Sequence, residues 1–232
     1  MKWDLGVIPF SAAYFKGVVG KPETLNDGTI VQPITGTAEA LGLAKKIHYF
    51  KYDLKSLIDQ NGNSRLFSKK GVEDMKIDDK KQRVSLIESE TFYPITHEAA
   101  FESKLNGADA PKQTYTVPAQ NQDPISTAFF LRNIKLPSQV GIGVRFPATY
   151  EGDTWIIKVF YEKQESIEWN GIDHVTNLYR LKFYKNDVLY PHPTHIWVTT
   201  DARQDVLKCE SELSFGKIVV TLDTPAELNA AN

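Results

Sequence analysis

Hydrophobic side chains recur at every second position along much of the chain. Tyr179, Leu181 and Phe183 alternate with Arg180 and Lys182, and Leu207, Cys209, Ser211, Leu213 and Phe215 alternate with Lys208, Glu210, Glu212 and Ser214. The same period runs through Val144, Phe146, Ala148 and Tyr150, through Trp155, Ile157, Val159 and Tyr161, and through Ile218, Val220 and Leu222. A period of two turns one apolar face to a core and the other to water, which is the mark of an antiparallel strand. Further strands are expected at Trp3 to Ile8, Tyr14 to Val19, Thr29 to Ala38, Leu54 to Asp59, Arg65 to Lys69 and Arg83 to Glu88. Between the runs stand Asp27-Gly28, Asn61-Gly62, Asn106-Gly107, Glu151-Gly152-Asp153 and Asn170-Gly171, residues that tolerate the positive φ of tight hairpins. Few helical segments intervene, so parallel βαβ units are not expected.

Two segments depart from this period. Asp123-Pro124 offers a capping carboxylate followed by proline at the first helical position, and predicts a helix running to Arg132. That helix is apolar on nearly every side, which places it deep against a sheet. Ala40 to Phe50, with Leu43, Ile47 and Phe50 on one stripe, predicts a second, weaker helix. Thr96 to Gln122, rich in Ala, Asn, Gln and Pro, reads as a long loop covering a mouth or joining two halves. No internal repeat is present. The expectation is a single mainly-β domain over residues 1–232: one large curved antiparallel sheet or an incomplete barrel of hairpins, with one or two packed helices.

The 27 Lys and Arg against 29 Asp and Glu leave a formal charge of −2, without the basic surplus of a nucleic-acid binder. No apolar run is long enough for a transmembrane helix, and Met1-Lys2-Trp3-Asp4-Leu5 leads into a strand without a signal-like stretch. The single cysteine, Cys209, falls on the apolar phase of its strand and reads as core. No cofactor is expected. Gly141-Ile142-Gly143 lacks the third glycine of a dinucleotide loop, and Gly17-Val18-Val19-Gly20-Lys21 has neither the spacing nor the hydroxyl of a phosphate loop. His97-Glu98 is not followed by a second histidine, since Phe101 holds that position, and no Gly-x-Ser-x-Gly elbow exists. His192 and His195 lie three apart and so point to opposite faces of a strand, against a shared metal ion.

Three groups of residues remain as candidates. Arg132, at the end of the predicted helix, would carry its stem into apolar surroundings and needs a partner, for which Asp201, Asp123 and Asp153 are available, or an anionic ligand. The aromatics Trp155, Tyr161, Tyr179 and Trp197 could line an apolar cavity or stack against sugars if they share a concave face, although packing under the helix is the simpler role. Asp173, His174, His192, His195 and Asp201 form a polar set beside Trp169 and Trp197, suited to proton transfer.

The segment Gln122 to Arg132, the strand Ile196-Trp197-Val198-Thr199-Thr200-Asp201 and Phe215-Gly216-Lys217-Ile218 with Leu222 resemble, in order and spacing, the bacterial family known as domain of unknown function 3108. Lys2 to Ile8, Ile34 to Leu43 and Tyr52 to Asp59 also look like its pattern, so the resemblance spans nearly the whole chain. It implies an exported protein in a periplasmic or cell-envelope setting, although this chain lacks the leader typical of the family. It implies no established activity. A curved antiparallel sheet with a helix on its concave side is similar in architecture to the outer-membrane lipoprotein carriers, whose sheet holds acyl chains, an analogy of fold alone. Two readings follow. One is a non-enzymatic envelope protein that binds a hydrophobic or glycan ligand in a sheet groove, with Arg132, Trp197, Asp201, Trp155 and Tyr179 as candidate ligand contacts. The other is an enzyme cleaving an envelope or environmental polysaccharide by carboxylate and histidine acid-base chemistry. A structural or partner-binding role through exposed strand edges stands behind both.

Overall fold

The computed structural model describes residues 2–4, 9–11, 13–42, 44–213 and 216–222. In chain order it runs β1 (Lys2–Asp4), β2 (Pro9–Ser11), β3 (Ala13–Val19), β4 (Glu23–Thr24), β5 (Ile30–Ala40), α1 (Ala44–Ile47), β6 (Phe50–Asp59), β7 (Ser64–Ile77) and β8 (Lys80–Tyr93). It continues through β9 (Glu98–Leu105), β10 (Ala108–Asp109), β11 (Gln113–Thr116), α2 (Pro124–Asn133), β12 (Gly143–Tyr150), β13 (Asp153–Trp169) and β14 (Ile172–Lys185). The last elements are β15 (Val188–Leu189), β16 (Thr194–Thr199), β17 (Val206–Leu213) and β18 (Gly216–Thr221). The protein is mainly β, as expected, with its strands in two antiparallel sheets that do not close into a barrel.

The N-terminal sheet has the order β10-β9-β8-β7-β6-β5-β3, with β11 beside β9 and β4 beside β5. The C-terminal sheet has the order β12-β13-β14-β16-β17-β18-β1-β2, with β15 beside β14. The hairpins between consecutive strands turn where the sequence allows positive φ: Asn106-Gly107, Glu151-Gly152 and Asn170-Gly171 each place two residues there in succession. Asp78-Asp79 and Asn186-Asp187 do the same without a glycine.

Helix α2 lies between the two sheets, which explains why it is apolar nearly all round. Ile125 and Phe129 pack with Ile34, Phe67, Phe92 and Ala99 of the N-terminal sheet. Phe130 and Leu131, on its other side, pack with Phe146, Ile157, Val159, Tyr179, Leu181, Ile196 and Val198 of the C-terminal sheet. The residues just before the helix join the sheets through their backbone. Asn121 O accepts from Ser64 N at 3.1 Å, while Gln122 N donates to Pro147 O at 3.2 Å and Gln122 O accepts from Thr149 N at 2.7 Å.

Two expectations change. Only Ala44–Ile47 of the segment Ala40 to Phe50 is helical, because Ala40 closes β5 and Phe50 opens β6; Leu43 lies outside the described residues. The expected loop from Thr96 to Gln122 contains β9, β10 and β11. Its alanines are strand residues that fit between aromatics: Ala99, fully buried, stands opposite Phe92 on one side and Tyr115 on the other. Residues 5–8, 214–215 and the C-terminal tail, on which parts of the first, penultimate and last expected segments fall, are outside the described residues.

Candidate functional site

Asp123 does more than cap a helix. Its Oδ1 accepts from Ile125 N at 2.7 Å and Ser126 N at 2.9 Å, and Ser126 Oγ accepts in return from Asp123 N at 2.7 Å, completing a capping box. Its Oδ2 accepts from Ser56 Oγ at 2.6 Å and Ser64 Oγ at 2.5 Å, one serine on β6 and the other on β7. One fully buried carboxylate therefore ties the start of α2 to two strands. Burial pushes its pKa up, opposed by the four donors.

The N-terminus of α2 and the inner face of the C-terminal sheet enclose a pocket of about 420 Å³. Pro124 and Thr127 form the helix side, and Ala148, Trp155, Ile157 and Phe183 form the sheet side, with Tyr150, Tyr190 and His192 at its margins. No Lys, Arg, Asp or Glu is among the described residues of its wall. The ring of Trp155 meets that of Tyr190 edge-on at 6.0 Å. A concave, apolar space of this size is what small-molecule sites present.

Against this pocket lies a cluster of buried ionisable groups. Lys69 is 6% exposed, and its Nζ donates to Tyr150 OH at 2.9 Å, donates to Glu151 Oε1 at 2.8 Å and pairs with Glu88 Oε2 at 2.7 Å. The same ammonium lies 5.3 Å from the ring centroids of both Tyr52 and Tyr150. The Tyr52 hydroxyl in turn donates to Glu73. Glu90, 1% exposed, accepts from Gly152 N through Oε1 at 3.1 Å, while its Oε2 is buried without a hydrogen-bond partner. Burial, reinforced by the nearby carboxylates of Asp123, Glu151 and Glu88, pushes the Glu90 carboxyl up to about 7. Burial opposes the charge of Lys69, but its hydrogen bonds to Glu151, Glu88 and Tyr150 outweigh it and raise the pKa. Burial likewise lifts the Tyr150 hydroxyl to about 12. Sequence reasoning missed this cluster. The available signal was phase: Lys69 lies two residues from Phe67, and Glu90 two from Phe92, so all four belong to one face of their strands.

The five residues expected to contact ligand do not meet at one place. Trp155 lines the apolar pocket. Tyr179 is buried in the core, its ring edge-on to Tyr161 at 5.8 Å. Trp197 is on the other face of the sheet, where Nε1 donates to Glu165 Oε1 at 2.7 Å and Lys208 Nζ stands 4.1 Å from its ring. Arg132 is exposed rather than buried among apolar groups, and it pairs with Asp205 at 2.8 Å instead of Asp201, Asp123 or Asp153. Asp201 accepts from Thr199 Oγ1 at 2.7 Å and pairs with Arg203 at 3.3 Å.

The polar set beside Trp169 is divided as well. Asp173, His174 and Asp201 share a second pocket of about 400 Å³ with Trp169, Arg203 and Asp205. His192 lines the apolar pocket instead, and His195 faces Glu162 at 3.6 Å. Among the described residues no group of three or more His, Cys, Asp or Glu side chains could hold a metal ion. No helix among them is long and apolar enough to cross a membrane. Cys209 packs against the core of the C-terminal sheet, and burial raises its thiol to about 11.

The arrangement of strands is similar to that of a beta-barrel-like protein of the domain of unknown function DUF1849 from Brucella abortus. The TM-score is 0.50 at 9% sequence identity, with 92% of this chain and 89% of that chain covered. At such identity the likeness concerns the fold alone. No curated protein matches the chain. The capped helix and most strands of both sheets fall within residues 24–223, which match the family described as Protein of unknown function (DUF3108), and the chain belongs to that family.

Proposed function

We propose that the protein is a non-enzymatic binding protein of the bacterial envelope that holds a hydrophobic ligand between α2 and the C-terminal sheet. The observation that carries this reading is the pocket of about 420 Å³ walled by Pro124, Ala148, Trp155, Ile157 and Phe183. Its apolar wall favours an acyl chain or similar apolar group over a glycan, which would require several hydrogen-bonding side chains. The envelope setting rests on the exported character that the family resemblance implies.

A thermal-shift titration tests the reading. A fatty acid at 100 times its Kd stabilises the native state by about 2.7 kcal/mol. For a chain of this length that raises Tm by roughly 5–10 °C. Ala148→Phe, which fills the pocket, abolishes the shift while leaving the unliganded Tm within a few degrees. If fatty acids leave Tm unchanged and oligosaccharides raise it, the hydrophobic reading is wrong.

A second reading, polysaccharide cleavage, is favoured by the gathering of Asp173, His174, Asp201 and Trp169 around one pocket. Against it, the Thr199 hydroxyl holds the Asp201 carboxyl below its usual range, with Arg203 acting in the same direction, whereas glycosidic cleavage needs an acid with a raised pKa. This reading expects hydrolysis of chromogenic oligosaccharides that His174→Ala removes. Absence of turnover in the unmodified protein eliminates it.

A further inference from the structure

Between Asn121 and Asp123 the two sheets are joined by backbone hydrogen bonds and by the cap of α2. At the turn between β12 and β13 the joint is made by side chains of the N-terminal sheet alone. Lys69 holds Tyr150 OH at 2.9 Å and Glu151 at 2.8 Å, and Glu90 holds Gly152 N at 3.1 Å.

The groups that face Glu90 are nearly all acids. Glu88 lies on its own strand, Glu151 and Tyr150 come from the turn, and Asp123 comes from the cap of α2. Tyr115 of β11, with its hydroxyl buried and unpartnered, comes within about 4 Å of where a Cβ on Gly152 would stand. Lys69 on β7 is the nearby cation, and it is already engaged by Glu88, Glu151 and Tyr150. An ionised Glu90 thus has one N–H donor for one oxygen and nothing for the other. Such a carboxyl keeps its proton to about pH 7. Tyr150 belongs to both structures, because its hydroxyl is held by the joint and its side chain lines the apolar pocket.

We propose that this joint is a proton-operated latch on the apolar pocket. With Glu90 protonated, the Tyr150–Gly152 turn is clasped to the N-terminal sheet and the pocket wall is closed. With Glu90 ionised, repulsion from Glu88, Glu151 and Asp123 loosens the turn, and Tyr150 leaves the wall. The latch stands on the geometry of the joint, and only its consequence, ligand release as pH rises, rests on the binding function proposed above.

The test is amide exchange at Gly152, followed by NMR on the ¹⁵N-labelled full chain from pH 5.5 to 8.5. The protection factor of Gly152, corrected for intrinsic base catalysis, falls at least tenfold with a midpoint near pH 7 in the unmodified protein and stays level in Glu90→Gln. Level protection in the unmodified protein, or an equal fall in Glu90→Gln, overturns the latch. Should Glu90→Gln not fold, Glu151→Gln removes one repelling charge and frees Lys69, so the midpoint moves to lower pH; an unmoved midpoint counts against the latch. In parallel, dissociation of the neutral dye N-phenyl-1-naphthylamine is timed over the same range, and its rate rises about tenfold. If Gly152 titrates but the dye never binds, the latch stands and the pocket is not a ligand seat. If the dye binds while Gly152 stays level, the pocket stands and the latch falls. Dye release that ignores pH while Gly152 titrates separates joint from pocket and overturns the gating.

Discussion

Replacing Asp123 by alanine removes four hydrogen bonds with two purposes. Oδ1 serves the first turn of α2, and Oδ2 serves Ser56 on β6 and Ser64 on β7. Loss of a cap costs about 1–2 kcal/mol. Each buried hydroxyl left without an acceptor adds about 1 kcal/mol or more. Relief from burying a carboxylate offsets part of this, leaving a net loss of about 3 kcal/mol, or roughly 6–12 °C in Tm for a chain of this size. Asparagine keeps an oxygen for the cap, and its amide can donate to one serine, so Asp123→Asn loses only about 1 kcal/mol. Urea titrations read by tryptophan fluorescence, with calorimetry for Tm, separate the two variants. The triple variant Ser56→Ala, Ser64→Ala, Asp123→Ala tests the assignment of Oδ2: once Asp123 is gone, deleting the serines adds almost nothing. The reasoning is refuted if Asp123→Ala lies within about 0.5 kcal/mol of the parent, or if asparagine is tolerated less well than alanine.

Three other outcomes follow from the same contacts. The Glu90 carboxyl is raised from 4.5 to about 7, so between those values the native state holds a proton that the unfolded chain has released. Stability therefore declines as pH rises through that window, by about 3 kcal/mol at 1.36 kcal/mol per pH unit, and levels off above it. Urea midpoints at pH 5 and pH 8, compared with those of Glu90→Gln, measure this contribution, and an equal pH dependence in both proteins contradicts it. A Cβ on Gly71 would stand 1.9 Å from Lys51 O and 2.9 Å from Tyr52 Cα, so Gly71→Ala must force β6 from β7. We expect a loss of about 2–3 kcal/mol or more in urea unfolding. Arg132→Ala, by contrast, breaks a pair in which the arginine side chain is 40% exposed, and it lowers stability by less than about 1 kcal/mol in the same measurement.

Periodicity made much of the fold legible. The runs Trp155 to Tyr161 and Tyr179 to Phe183 are paired strands, with Tyr161 opposite Tyr179 and Ile157 opposite Phe183. The Asp123-Pro124 start of the helix was explicit in local chemistry. Division of the strands into two sheets was not, because alternation specifies a face without saying which other strands share it. Irregularities also escape it. The register shift between Tyr161 and Lys163 changes the phase of β13. Beyond it, Glu165 reaches Trp197 on the side away from the core, although an unbroken alternation from Trp155 would have turned it inward. The buried cluster was illegible for a different reason. Lys69, Glu88 and Glu90 break the rule that charge marks the wet face, and their counterparts Glu151 and Gly152 lie far off in sequence, in what reads simply as a turn. Arg132 shows the converse error: its position on an apolar helix suggested burial, yet the C-terminal turn that carries it emerges into solvent.

Strand β1 is paired with β18, Trp3 opposite Ile218, so the two extremities of the chain are neighbours in one sheet. Every pairing in the N-terminal sheet lies between residues 13 and 116 and joins strands close in sequence. Assembly on the ribosome is therefore ordered. The N-terminal sheet can form while the remainder is still being made, whereas the earliest residues to emerge must wait for nearly the last. Chain length adds little to the entropy of closing so wide a loop, but such distant encounters are slow. Joining the ends is thus the late step of maturation, and a nascent chain stalled before β18 would hold a finished N-terminal sheet beside an unmated first strand.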